Sequence, residues 1–519
     1  MTRKYIPTRF SSVDHGNIAT FEVQPSEILT VFGELLSNDK LEFKLIEATD
    51  ESSDQAGFVI WYIFGVPGDN SFIAAYIKVQ DGVFPSVASL HPGATNYERK
   101  IQSLFGLKVD GIADERPLLL HQNWPKGLYP LRKDFDYEKR PAVAANSYVF
   151  NHVGGEGIYE ISVGPIHAGI IEPGHFRFSV AGEEIMLLEP KLGYTHKGSE
   201  KLLERLGLEQ KLKLSEKISG DSSFSHSLAF VGAVEELAGI NVPRRAEYLR
   251  TVYAELERLA NHLGDIGFIM LDASYNFGGA QGARLRERLM QINDHLSGSR
   301  FLRNVNVYGG VSKDISPEQS HELIKDLTSI AKDLGQVIAV AENSVTLMGR
   351  LKGAGTLPRK VADDLGIMGL AGRAVGIKSD TRVDYPYGAY DEVVLKHIAL
   401  ETGGDVYARF SVRIKEVHSS IELILSALKS MPAGPICAQQ STELILRKNS
   451  LAISSVEGWR GEIIYFIRTD SRGEICRVAV RDPSMVNWQA LPYAGFRQMV
   501  PDFPLINKSF NMSYSGNDL

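Results

Sequence analysis

The sequence predicts an α+β protein in two units: an N-terminal α/β domain over residues 1–140 and a mainly helical domain with small β-sheets over residues 146–519. Three observations carry this. The 519 residues exceed one ordinary core and point to two or three domains. Two apolar, β-branched and aromatic runs flank a turn-rich linker in the first quarter of the chain. Further on, apolar residues recur at three and four over long stretches, the period of helices with one buried face.

The elements follow in order. FVIWYIFG and FIAAYIKVQ, between Phe58 and Gln80, flank VPGDNS and predict a β-hairpin. A helix is predicted over Tyr97 to Phe105 and stopped by Gly106. The proline-punctuated tail HQNWPKGLYPLRKDFDYEKRP has neither helix nor strand period, which puts the boundary between Arg140 and Ala145. Strand-like, glycine-punctuated sequence runs from Tyr148 to Glu189. After Pro243, a residue suited to a first helical turn, Tyr248, Leu249, Val252, Tyr253, Leu256, Leu259, Ala260, Leu263 and Ile266 mark one apolar face of a long helix. Ser316-Pro317-Glu318-Gln319 is a capping-box pattern opening a helix that should run toward Leu347. A third helix spans about Tyr407 to Leu428 and ends before Pro432 and Gly434. EIIYFIRTD and ICRVAVRD, joined by Ser471-Arg472-Gly473, predict a second hairpin.

Composition narrows the function. With 44% apolar and 23% charged residues the chain should fold throughout, and a net charge of -7 without a Lys/Arg tract argues against nucleic acid as a partner. The longest apolar run, Phe58 to Gly68, is too short to cross a bilayer, so any membrane link must go through partners. Met1 to Phe10 lacks the apolar segment of a secretory signal, so a cytoplasmic location is expected. The two cysteines, Cys437 and Cys476, stand in no C-x-x-C pattern, which leaves no disulfide framework and no Fe-S or zinc site. No phosphate-binding G-x-x-x-x-G-K-[ST] occurs, and Gly154-Gly155-Glu156-Gly157 has the wrong spacing for a dinucleotide loop. If NADH feeds the system, another subunit must bind it.

Glu98, Arg99 and Gly106, followed by Trp124 and Pro130-Leu131-Arg132-Lys133-Asp134-Phe135, resemble the small hydrophilic subunit of respiratory complex I; Lys100 and Ser103 replace two family acids. From Tyr148 onward the chain resembles the large quinone-site subunit of complex I and, more closely, the large subunit of formate-hydrogenlyase-type membrane hydrogenases. The motifs are Gly164-Pro165-Ile166-His167, Glu172-Pro173-Gly174-His175-Phe176-Arg177, Gly193-Tyr194-Thr195-His196-Lys197-Gly198 and Glu200-Lys201. Glu255, Glu257, Arg258, His262, Arg373-Ala374, Gly376, Asp380, Arg382, Pro386, Tyr387, Arg481, Pro483, Asn487 and Leu491 continue the pattern. The resemblance implies an electron-transfer subunit of a membrane-bound, complex I-like oxidoreductase. It would lie peripherally on the cytoplasmic face of the cell membrane, docked on a small Fe-S subunit and on antiporter-like membrane subunits.

The same resemblance locates the site. A nickel-iron centre needs four thiolates, supplied in the hydrogenase relatives by R-x-C-G-x-C and D-P-C-x-x-C. Here those motifs read Lys217-Ile218-Ser219-Gly220-Asp221-Ser222 and Asn511-Met512-Ser513-Tyr514-Ser515-Gly516. Serine is a hard donor that does not ionise near pH 7, so no metal and no hydrogenase activity are expected, and a metal-free cavity becomes the candidate site for a quinone or other acceptor. Gly220 and Ile171 stand where complex I has its headgroup-binding tyrosine and histidine; Asp272 matches the aspartate that couples to that histidine, and His167 and His175 are close enough in sequence to compensate. The expected catalytic residues are therefore His167, Asp272, Ser219, Ser222 and Ser513, and the acceptor is expected to meet His167, His175, Lys217 and Gly220. No cofactor is expected to be held by the chain itself; an Fe-S cluster would sit in a partner. Three alternatives stay open. The subunit is a non-catalytic scaffold; Glu255 and Glu257 form a solvated helix face rather than a proton relay; or Gly220-Asp221-Ser222-Ser223 with Gly516-Asn517-Asp518 marks a serine hydrolase.

Overall fold

In a computed structural model, which describes residues 2–52, 57–168, 171–438 and 444–519, the chain opens with a five-stranded sheet. Its strands are β1 (Val13–His15), β2 (Ile18–Glu22), β3 (Glu42–Asp50), β4 (Phe58–Val66) and β5 (Ser71–Val79), in the order β1-β2-β5-β4-β3. The predicted hairpin is β4–β5, closing at Val66 opposite Ser71. Its strands lack polar alternation because both sheet faces are covered. Tyr62 and Phe64 pack on Phe32 of α1 (Ile28–Leu36), while Trp61, on the opposite face, meets Phe466 from the far end of the chain at 6.0 Å. The helix α2 (Thr95–Phe105) ends as predicted at Gly106, whose φ of 70° gives a left-handed cap. A short parallel pair, β6 (Val83–Pro85) with β7 (Lys108–Asp110), brackets it, and residues 111–157 then run without helix or strand.

The second region begins with the antiparallel sheet β8 (Ile158–Val163), β9 (His175–Ala181) and β10 (Glu184–Lys191). Short helices α3 (Ser199–Arg205) and α4 (Leu208–Ser215) lead to α5 (Ser223–Ala238), α6 (Arg244–Asp272) and α7 (Asn276–Ser297). The helix predicted after Pro243 is α6. It is buried on all sides rather than on one face, because α5, α7, α13 (Val406–Ser430) and α16 (Phe503–Phe510) surround it. Its polar residues Arg250, Glu255, Arg258, His262 and Asp265 are buried with the apolar ones. The capping box at Ser316 forms in both directions, Gln319 N donating to Ser316 Oγ and Ser316 N to Gln319 Oε1. The helix it opens, Pro317–Glu342, stops short of Leu347, since Ser344 caps a separate helix, Val345–Leu351, by accepting from Leu347 N. The C-terminal hairpin is β14 (Gly461–Thr469) with β15 (Ile475–Arg481), extended by a further strand, β13 (Leu451–Gly458).

This C-terminal sheet packs against the N-terminal one through buried charge. Lys100 donates to Glu47 at 3.0 Å and to Glu200 at 2.7 Å. Arg477 of β15 reaches the same two carboxylates at 2.8 and 2.9 Å. Burial alone would raise the Glu200 pKa; Arg477 and Lys100 override it and hold it at about 2. Cations from both regions thus share the same carboxylates, and one apolar core, running from Phe21 through Leu259 to Phe466, joins the two.

Candidate functional site

The loop before α5 and the last two helices, α16 and α17 (Tyr514–Asp518), converge on a cavity of about 550 Å3. The β8–β9 connection, the C-terminal half of α6 and part of α7 complete its wall. That volume suits a headgroup-sized molecule. Ser219, Gly220, Ser513, His167 and Asp272 all line it, as do Ile171 and Ser515. Segments separated by up to several hundred residues thus bring most of the predicted site together.

The two segments that the resemblance aligns with metal-ligand motifs are tied directly to each other. Ser219 Oγ and Ser513 Oγ are 2.8 Å apart, and Ser219 Oγ donates to Asp221 Oδ1 at 2.9 Å. Ser513 Oγ accepts from Gly516 N at 2.9 Å, capping α17. Asp221 is gripped by Arg460, whose Nη1 and Nη2 donate to its two oxygens at 2.6 and 2.7 Å. Burial acts to raise the Asp221 pKa, and Arg460 with Ser219 pulls it down to about 2. At Gly516, where the resemblance would put a fourth thiolate, a Cβ would lie 2.6 Å from Asp482 Cγ, so a cysteine has no room there. Hydroxyls bonded to each other, a carboxylate committed to an arginine and a glycine wedged on Asp482 do not fit a four-thiolate metal centre.

The structure separates the other expected residues. Ser222 is buried behind the wall, with its Oγ 3.4 Å from Asp221 Oδ1. Lys217 is exposed and off the cavity. His175, at the start of β9, also lies off it; its Nδ1 is 3.4 Å from Gly164 O, and burial lowers its pKa. His167 does face the cavity, donating from Nε2 to Gly174 O at 2.7 Å and leaving Nδ1 as the acceptor. A solvated helix face is ruled out for Glu255 and Glu257, both of which are buried. Arg382, Arg258, Tyr390 and Ser420 all donate to Glu255. Glu257 instead accepts from Phe224 N, Ser225 N and Ser225 Oγ at the start of α5, with no ion pair among the described residues, and burial raises its pKa to about 7. The hydrolase reading also lacks its geometry: His226, close to the G-D-S-S block, commits its ring nitrogens to Tyr465 and Asp482 rather than to a serine.

Sequence reasoning passed over Arg460, Asp265, Lys508, Arg286 and Arg303, all on the wall. A usable signal existed for Arg460 alone: Trp459-Arg460 between Gly458 and Gly461 is a two-residue hairpin turn joining β13 and β14. The remaining four sit in helices or loops without a distinguishing local pattern.

Residues 280–452 and 448–518 match the family described as the respiratory-chain NADH dehydrogenase 49 Kd subunit, and residues 21–141 match the 30 Kd subunit. Hydrogenase-4 component G of Escherichia coli (strain K12) is 33% identical over 476 residues, spanning 90% of this chain and 82% of that protein. Formate hydrogenlyase subunit 5 of the same strain is 32% identical over 477 residues, covering 90% and 83%. The fused C/D protein of NADH-quinone oxidoreductase from Phocaeicola vulgatus is 31% identical over 409 residues, covering 75% and 78%. Among solved structures, a chain of the membrane-bound sulfane sulfur reductase, an archaeal respiratory membrane complex, superposes with a TM-score of 0.66 at 25% identity, over 71% of this chain and all of that one.

Proposed function

Because this chain belongs to the family of fused 30 Kd-like and 49 Kd-like subunits that includes the complex I C/D proteins and the formate hydrogenlyase and hydrogenase-4 large subunits, we propose that it delivers electrons to an acceptor bound in its metal-free cavity. The relatives are subunits of membrane-bound oxidoreductase complexes. No helix among the described residues is long and apolar enough to cross a membrane; in this reading the subunit is peripheral, held by membrane partners on the cytoplasmic face. In this reading a small Fe-S subunit supplies the electrons, and a quinone or another acceptor takes them.

One observation carries the proposal: both former ligand segments remain assembled around an open cavity whose small hydroxyls have not been replaced by apolar bulk. Reduction of an acceptor consumes protons as well as electrons. Glu257, with a pKa of about 7, is placed to exchange a proton near neutral pH. It lies beside the cavity's Asp221–Asn261 wall, where Asn261 Nδ2 donates to both Asp221 O and Glu257 O. Ser219→Leu, which fills the cavity from its wall, should cut acceptor-dependent electron transfer in the intact complex at least tenfold while the subunit stays assembled. Unchanged turnover with the cavity filled would make the cavity vestigial and the subunit a scaffold.

A further inference from the structure

The cavity wall carries four cations, and their partners differ. Arg460 is taken by Asp221. Lys508 donates to Asn511 Oδ1 at 3.2 Å and lies 4.4 Å over the Phe268 ring. Arg286 and Arg303 form no ion pair among the described residues; the Arg286 side chain makes no hydrogen bond there either, and the Arg303 side chain makes one, from Nε to Ser223 Oγ at 3.3 Å, and lies 5.4 Å over the Phe301 ring. The carboxylates on the wall do not satisfy them. Asp265 is bound by Arg413 at 2.9 Å, Glu172 accepts from Ser515 N at 3.1 Å, and Asp272 stands exposed at the end of α6.

Two glycines make room for these arginines. A Cβ on Gly264, within α6, would lie 2.6 Å from Arg286 Cδ and 3.1 Å from its Nε, so the absence of a side chain lets Arg286 lie across the helix. Glycine inside a helix costs up to ~1 kcal/mol relative to alanine, and here it seats a cation. At Gly220 the atom nearest to a built Cβ is Arg303 Nη2, at 3.6 Å, so that guanidinium borders the space a side chain would fill.

We propose that Arg286 and Arg303 form a subsite in this cavity for a small oxyanion, a sulfur oxyanion or a carboxylate, so that the acceptor carries negative charge. A guanidinium presents a planar fork of donors that matches an oxyanion, and a neutral headgroup, whose carbonyls can accept from it, would leave both positive charges uncompensated. The proposal rests on the cavity being the acceptor site, and its test separates the two ideas. Thiosulfate is titrated into the full chain at constant ionic strength set with chloride, beside a neutral short-chain quinone, using the wild type, Arg286→Gln, Arg303→Gln and the control Arg284→Gln. Arg284 is exposed and pairs with Asp333 on the outer face of α7.

The expected result is one saturable thiosulfate site per chain, weakened about tenfold or more by either cavity substitution and unchanged in the control, as the loss of a charge-assisted hydrogen bond requires. Arg286→Lys and Arg303→Lys, which keep the charge and lose the fork, should fall between. Absence of saturable binding in the wild type, or equal binding in all variants, overturns the oxyanion subsite. Quinone binding that persists unchanged in both glutamine variants, with no thiosulfate site, overturns it too while leaving the acceptor cavity intact; if neither compound binds, both readings fail.

Discussion

Gly516→Ala is the smallest change that asks whether a cysteine-based metal site could be rebuilt in this chain. The new Cβ would lie 2.6 Å from both Cγ and Oδ2 of Asp482 and 2.9 Å from Oδ1. Asp482 cannot easily retreat, because it is fully buried and held by His226 Nε2 at 3.0 Å and by Ser484 N at 2.7 Å. Overpacking of this kind costs about 1–3 kcal/mol, and displacing the carboxylate from His226 adds about 1.5–3 kcal/mol. Against this, Gly516 lies in α17, where alanine would be favoured by up to ~1 kcal/mol if space were free. The net expectation is a destabilisation of about 2–4 kcal/mol, measured by urea unfolding followed at Trp488, whose indole donates to Ser513 O beside the site. The alternative has the opposite sign, so the result discriminates. Equal or higher stability in Gly516→Ala would refute the claim that the fourth ligand position is closed. The four-cysteine variant Ser219→Cys, Ser222→Cys, Ser513→Cys and Gly516→Cys should, for the same reason, take up no stoichiometric nickel.

Two further expectations concern buried charge. Glu257 has a pKa of about 7 in the fold against 4.5 for the free side chain. Between those values the folded state holds a proton that the unfolded chain has released, so stability falls as pH rises from about 4.5 and levels off above about 7; at ~1.4 kcal/mol per pH unit this amounts to about 3 kcal/mol. Glu257→Gln should flatten that part of a stability-pH curve, leaving the parallel contribution of Glu98, which burial likewise raises to about 7; an unchanged slope would show that Glu257 is not the titrating group. Arg373→Met should destabilise by about 3–5 kcal/mol, because Glu416 and Glu457, each 2.8 Å from the guanidinium, would be left buried without it; a loss below about 1 kcal/mol in thermal or urea unfolding would contradict this.

Much of the architecture was legible because it is encoded locally. The hairpins at Phe58 to Gln80 and at Glu462 to Asp482, the capping box at Ser316 and the stop at Gly106 depend on residues a few positions apart, and each formed where its pattern lay. Where local reading stopped short, a tertiary contact was responsible. The apolar face of α6 was visible, but the burial of Glu255, Arg258 and His262 on its other sides was not, because their partners Arg382, Glu457 and Glu416 lie on other elements far along the chain.

The sequence by itself determined the family and the two-part α+β plan, because motif spacing and residue identity need no third dimension to be read. Tertiary structure alone decided that Ser219 meets Ser513, that Arg460 closes on Asp221, and that Lys217 and His175 stand outside the cavity. It also placed Arg286 and Arg303 in the wall, where neither forms an ion pair among the described residues. The physical reason is that the cavity is assembled from segments far apart in the chain, and which side chains face it depends on how helices and loops pack, to which no local period in the sequence answers.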